Sequence, residues 1–310
     1  MDRRHFLSRL GTSVFILPMM GAMAGTKQDQ PLRTMIVDAD TANEIDDLYA
    51  ITRAFLEPGF RILGLSSAQW RHHLSPENSA WESQTINENI LRLLDRQHIP
   101  APMGAEMIVG KPWGGTEPSD SPAARFIIKT AKAMKPGEKL TVVALGALTN
   151  VASAILMAPE IVPKIACYCL SGKYFPDRKV WDKDEFNARR DLNALNVAFN
   201  TEELELHVMP VTILYDFKFK QLEVVERLSG KGGIWDYLAA RWLSFAPQFE
   251  EWIMWDLAIV EALAKPEFAK QEEVYTPPEN VQRKIHVYTT VDREAMFRDW
   301  WATVEKSLGS

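Results

Sequence analysis

Short apolar runs alternate with longer stretches of helical periodicity along most of this chain. Thr34-Met35-Ile36-Val37 is the first such run and predicts a strand, and Asp47 to Leu56 reads as the helix after it. A second strand is predicted over Arg61 to Ser66. In the segment from Glu82 to Leu94, Ile86, Ile90, Leu91 and Leu94 share one helical face. Leu140 to Leu145 predicts a third strand, with a helix from about Asn150 to Met157. Further strands are predicted over Ile165 to Leu170 and Val211 to Tyr215. Ile285 to Thr290 reads as an edge strand, and the chain ends in a helix. Strands that are apolar along their whole length bury both faces. The pattern therefore predicts an α/β fold with a mainly parallel open sheet flanked by helices. In such sheets ligands sit beyond the carboxyl ends of the strands, so the polar residues just after each strand become the candidates for chemistry.

The first 24 residues stand apart from this pattern. Arg3-Arg4-His5-Phe6-Leu7 has the form of a twin-arginine signal, followed by the apolar run Val14 to Met20 and the small-residue site Ala22-Met23-Ala24. Residues 1–24 are expected to be a cleaved leader, which places the mature protein in the periplasm or outside the cell. The apolar run is too short for a stable membrane anchor. Residues 25–310 are expected to form one domain, since no linker, repeat or low-complexity segment interrupts them.

Charge and composition narrow the partners. The 310-residue chain carries a formal charge of -6, and loss of the leader removes Arg3, Arg4, Arg9 and Asp2, leaving it more acidic still. An acidic chain without a basic run argues against a nucleic acid or an anionic membrane as partner. The two cysteines, Cys167 and Cys169, lie two apart on a predicted strand and face the same way. A bridge across one residue is strained, so they are expected to be buried thiols. Most of the ten tryptophans are expected in the core or an interface.

The densest polar feature follows the first strand. Asp38, Asp40, Asp46 and Asp47 lie within ten residues, with Asn43 and Glu44 between them. Helix capping accounts for one or two such acids. Six oxygen-bearing side chains in one loop instead suggest a hard divalent cation. The spacing is not that of an EF-hand. An aspartyl-nucleophile phosphatase would also place Asp-x-Asp after a strand, but would bring its second acidic pair from a distant strand.

Val37-Asp38-Ala39-Asp40 followed by Ile45-Asp46-Asp47 resembles the N-terminal fingerprint of the inosine-uridine preferring nucleoside hydrolases. Three further matches come in the same order: Leu145-Gly146-Ala147-Leu148-Thr149-Asn150, Glu185-Phe186-Asn187 with Asp191, and Trp255-Asp256. The resemblance spans most of the mature chain. It implies the family's Rossmann-related fold and a calcium ion held by Asp40, Asp47, the backbone carbonyl of Leu145, and Asp256. It also implies that Asp40 deprotonates a water on that ion, and that Asp46, Glu185 and Asn187 hold the hydroxyls of a small-molecule riboside. Asp38 would support the loop. A homo-oligomer, dimer or tetramer, is expected by the same resemblance.

Two departures bear on the substrate. The family loop reads Asp-x-Asp-Pro-Gly-x-Asp-Asp, whereas here two extra residues separate Asp40 from Asp46 and the Pro-Gly is missing, which brings Asn43 and Glu44 within reach of the site. Where many members carry a histidine to protonate the leaving base, this chain has Trp255. The loop after the second strand offers His72 and His73 as replacement acids. Three functions remain open at this stage: an N-ribosyl hydrolase, a hydrolase of another furanoside, and a ribose- or nucleoside-binding protein that has lost catalysis.

Overall fold

The computed structural model describes residues 32–309, so the expected leader lies outside the described residues. The chain runs through β1 (Arg33–Ala39), α1 (Asp46–Leu56), β2 (Phe60–Ser67), α2 (Ser79–Leu93), α3 (Pro122–Ala133), β3 (Leu140–Ala144), α4 (Thr149–Met157) and β4 (Ile165–Leu170). A small hairpin follows, β5 (Lys173–Phe175) and β6 (Val180–Asp182), then α5 (Phe186–Arg190), α6 (Leu192–Asn200) and β7 (Glu205–Met209). The last third holds β8 (Lys218–Lys220), α7 (Gln221–Leu228), α8 (Gly233–Phe245), β9 (Glu251–Ile253), α9 (Trp255–Ala264), β10 (Ala269–Tyr275), β11 (Lys284–Val291) and α10 (Arg293–Leu308).

Seven strands form one sheet in the order β10-β11-β7-β4-β3-β1-β2, parallel throughout except for the antiparallel β10. Both faces are covered. Val37, Val143, Tyr168 and Leu170 pack into one apolar cluster with α1, α8, α9 and α10, while Ile36, Val142, Cys167, Cys169 and Val208 pack into another with α3, α4 and α6. Alternate residues of one strand thus enter opposite cores, which is why these strands read as continuous apolar runs. Cys167 and Cys169 are buried free thiols on the second face, as expected. Among the described residues no helix is long and apolar enough to cross a membrane.

Two strand expectations need correction. Val211–Ile213 is a single 3₁₀ turn, with the Leu214 amide donating to the Val211 carbonyl at 3.0 Å. The strand lies just before it, over β7, and Pro210 ends it because proline has no N–H for the ladder. The Ile285–Thr290 run is not an edge. β11 lies between β7 and β10, paired in parallel with the first and antiparallel with the second. The edge on this side, β10, is polar (Ala-Lys-Gln-Glu-Glu-Val-Tyr), and its charges protect the open ladder from pairing with another chain.

α1, α9 and α10 are tied by one buried cation. Arg53, 1% exposed, donates to Glu57, Glu261 and Asp299 at 2.9, 3.0 and 2.6 Å. This node fixes the helices that carry Asp46, Asp47 and Asp256.

Candidate active site

The parallel strands deliver their carboxyl ends to one edge of the sheet. β1 supplies Asp38 and Asp40, α1 begins with Asp46 and Asp47, and β3 leads into Leu145 and Gly146. β5, just after β4, begins with Lys173, and α5 is capped by Glu185 and carries Asn187 in its first turn. A cavity of about 290 Å³ opens there, lined by Asp40, Asp46, Asp47, Leu145, Glu185, Asn187 and Asp256, with Asn43 and Glu44 also on its wall. All the residues expected to hold metal or sugar are therefore brought together. The extended loop turns Asn43 and Glu44 inward; the Asn43 amide donates to the Asp40 carbonyl at 2.8 Å.

The aspartates divide by their partners. Asp38 is structural: its Oδ1 accepts from the Ser66 hydroxyl at 2.5 Å and from Asn150 Nδ2 at 2.9 Å, and its carbonyl accepts from the Leu145 amide at 2.8 Å. Asp46 Oδ2 accepts from the Asp256 amide at 2.9 Å, joining the first turns of α1 and α9. Carboxylate oxygens of Asp46, Asp47 and Asp256 lie within 4.8 Å of one another. Asp40 stands beside this trio: after burial, the charge of Asp47 raises it most, and its own charge acts on Asp256. The fit is closest at Gly146, where an added Cβ would lie 2.8 Å from Asp40 Cγ.

Capping does not explain these acids. Neither α1 nor α9 has a side-chain cap, and Asp40 Oδ2, Asp47 Oδ1 and Asp256 Oδ1 are buried without a hydrogen-bond partner. None of Asp40, Asp46, Asp47 or Asp256 forms a salt bridge among the described residues. Burial pushes every one of them up, Asp46 to about 6, and mutual repulsion raises Asp40, Asp47 and Asp256 further. Glu44 rises to about 8 for the same reasons, burial and then the charge of Asp46. Orphaned buried carboxylate oxygens carry a large desolvation cost. A hard divalent cation relieves that cost, and an all-oxygen donor set fits calcium or magnesium.

The sugar-side candidates are held tightly. Glu185 Oε1 accepts from the Asn187 amide at 2.9 Å, and Oε2 accepts from the Gly172 and Ala188 amides at 2.9 and 3.0 Å. Burial raises its pKa against these bonds. Asn187 Nδ2 donates to the carbonyls of Leu145 and Leu170 at 2.6 and 3.1 Å, so the expected Leu145 ligand already accepts one bond and keeps a second lone pair. Asp191 is spent on structure, accepting from Thr149, Val109 and Ala194.

The mouth sets Trp255 among residues to which the sequence assigned no role. Trp255 and Tyr215 meet edge to face at 5.7 Å, and Phe186 and Lys173 line the same cavity. His72 lies outside, 6.0 Å from the Phe186 ring, with Nδ1 accepting from the Leu74 amide; His73 is exposed. Burial, then Arg190, lowers the His72 pKa. Lys173 follows directly from the rule of polar residues after strand ends. Tyr215 and Phe186 carried no comparable signal.

An acidic pocket at the carboxyl edge of a doubly covered parallel sheet defines the class: an α/β protein built to hold a small polar ligand. Residues 35–306 match the family described as Inosine-uridine preferring nucleoside hydrolase, and the chain belongs to that family, whose members hydrolyse the N-glycosidic bond of ribonucleosides. The pyrimidine-specific ribonucleoside hydrolase RihB of Escherichia coli (strain SE11) is 26% identical over 269 residues, covering 78% of this chain and 82% of the relative. Among solved structures, the plant nucleoside hydrolase PpNRh1 superposes with a TM-score of 0.67 at 19% identity, covering 87% of this chain and 98% of that one. The inosine-uridine preferring nucleoside hydrolase from Bacillus anthracis gives 0.63 at 16%, covering 89% and 100%. At such identities the structures bear on fold alone.

Proposed function

We propose that this protein is an exported, calcium-dependent hydrolase of ribonucleosides or closely related ribosides, with Asp40 as its general base. The observation that carries the reading is the set of buried, unpartnered aspartate oxygens facing one small cavity. Asp40, Asp47, Asp256 and the Leu145 carbonyl would hold the cation, with Asp46 close enough to join them. When bound, calcium supplies a Lewis acid that fixes sugar hydroxyls and makes water easier to deprotonate. Asp40, raised by burial, accepts the proton of the attacking water. The carboxylates beneath the ring stabilise the positive charge that develops as the glycosidic bond breaks. Asp46, Glu185 and Asn187 orient the ribose, their own positions locked by backbone hydrogen bonds.

Trp255 cannot donate a proton in place of histidine. Together with Tyr215 and Phe186 it offers flat apolar surface to an aromatic leaving group. Among the described residues Lys173 is the one cation lining the cavity, held by Asp182 and Asp184 at 3.4 and 3.9 Å. We assign it the leaving-group acid, because His72 is separated from the cavity by Phe186. The test is ribose release from inosine, uridine and nitrophenyl riboside, with calcium and with a chelator, in wild type and Asp40→Asn. Calcium-dependent release, reduced about 10³-fold in the variant, supports the reading. Binding of nucleosides without release from any of the three would favour a non-catalytic binding protein. Export is checked by expressing the full chain and determining the mature N-terminus.

A further inference from the structure

Beside the catalytic cavity runs a larger groove of about 970 Å³, to which no role has yet been given. Arg71, Lys111, Arg189 and Arg190 line it, together with Met107 and Trp113. Cations are gathered here on an otherwise acidic chain. Arg189 is paired with Asp184 at 3.1 Å, but Arg71, Lys111 and Arg190 have no carboxylate partner within 4 Å among the described residues. Of the acids on the groove, Asp191 has both oxygens engaged by Thr149, Val109 and Ala194, and Glu117 is exposed at the rim. The groove therefore presents uncompensated positive charge.

Arg190 joins the two spaces. Its guanidinium lies 4.6 Å over the ring of Phe186, which lines the catalytic cavity. Nη1 donates to the Arg71 carbonyl at 3.3 Å, and Nε is buried with no partner. Burial lowers its pKa and the charges of Glu185 and Asp40 act against that, so this cation stands close to the catalytic carboxylates as well. Further out, Trp113 is 85% exposed on the tight turn closed by the Lys111–Gly114 bridge. An unpaired guanidinium pair with a nearby ammonium and a bare indole is a surface suited to phosphate oxygens and a stacked ring.

We propose that this groove binds the phosphate-bearing extension of a nucleotide-type riboside whose sugar occupies the catalytic cavity. The inference rests on the riboside reading of that cavity and adds the substrate class: the preferred ligand carries a phosphate or diphosphate beyond its ribose. Arg190 and Arg71 would meet the phosphate nearest the sugar, Lys111 the next, and Trp113 the base at the far end.

The test is calorimetry of the calcium-loaded protein with ribose, ribose 5-phosphate and ADP-ribose, alongside inosine hydrolysis. The expected order is ADP-ribose tighter than ribose 5-phosphate, and both at least tenfold tighter than ribose. Lys111→Ala and Trp113→Ala should each remove most of the advantage of ADP-ribose while leaving ribose binding and inosine hydrolysis unchanged. Equal affinities for ribose and its phosphorylated forms would overturn the proposal. So would an advantage that survives both substitutions, since the phosphate would then sit on the metal. Hydrolysis of inosine, uridine and nitrophenyl riboside reports separately on the catalytic reading: no release from any of them beside groove-dependent ADP-ribose binding would sink that reading and leave the groove intact.

Discussion

Gly146 leaves no room for a side chain beside Asp40, and the smallest substitution there tests the geometry. A methyl group on Gly146 would stand 2.8 Å from the Asp40 carboxyl carbon, so Gly146→Ala must displace the proposed base. Misplacement of a catalytic group by about 1 Å costs on the order of 100-fold in rate. Gly146→Ala is thus expected to lower kcat by roughly that factor, with a smaller change in KM; an unchanged kcat would show that Asp40 does not need its present position. Lys173 gives a second residue-level test. Lys173→Met is expected to slow inosine and uridine cleavage about 100-fold while sparing nitrophenyl riboside, whose leaving group departs without a proton. Equal loss on all three substrates would assign the ammonium to ribose binding instead. The aspartates were legible in the sequence because four acids in ten residues are costly without a counter-charge. Lys173, just past the end of β4, follows from the strand-end rule, whereas Tyr215 carried no signal because it is an ordinary turn residue until the fold turns it toward the cavity.

At the scale of elements, the central strands could be read because they are apolar on both faces, and the same property misled at the margins. Val211 to Tyr215 is as apolar as a strand, yet Pro210 shifts the strand to the five residues before it. β10 escaped notice because an edge strand in water needs polar side chains. The Arg53 node was equally invisible, since its partners Glu261 and Asp299 come from helices 208 and 246 residues away. Removing this cation would strand three carboxylates, two of them largely shielded from water. Arg53→Ala is therefore expected to destabilise the fold by about 3–5 kcal/mol, read as a lowered denaturant midpoint. A loss within experimental error would mean that water reaches the node and replaces the arginine.

For the molecule as a whole, the calcium reading proposed above makes the acidic pocket tie stability to pH and to calcium with opposite signs. In the metal-free protein the folded-state pKa values of these acids are raised above their unfolded values. Their favourable contribution is then complete below about pH 4 and is lost as pH rises through the folded values, about 6 for Asp46 and about 8 for Glu44. Calcium needs the ionised carboxylates, so its affinity grows over the same window. Without calcium the melting temperature is expected to fall between pH 6 and pH 8, and calcium should raise it more at pH 8 than at pH 6. A calcium-induced rise that is equal at both values would place the ion away from these acids.

The hydrogen bond from the Asp256 amide to Asp46 spans 210 residues of chain. A ribosome must therefore deliver nearly the whole protein before the carboxylate pocket can close. Until α9 emerges, the acids of the first strand and helix face water, where repulsion between them is screened and a cation is held weakly. Premature termination between β7 and α9 would yield a chain with five of the seven sheet strands and no closed pocket. On the proposed metal reading, the order of synthesis would make metal loading a late event that only a chain carrying α9 could undergo.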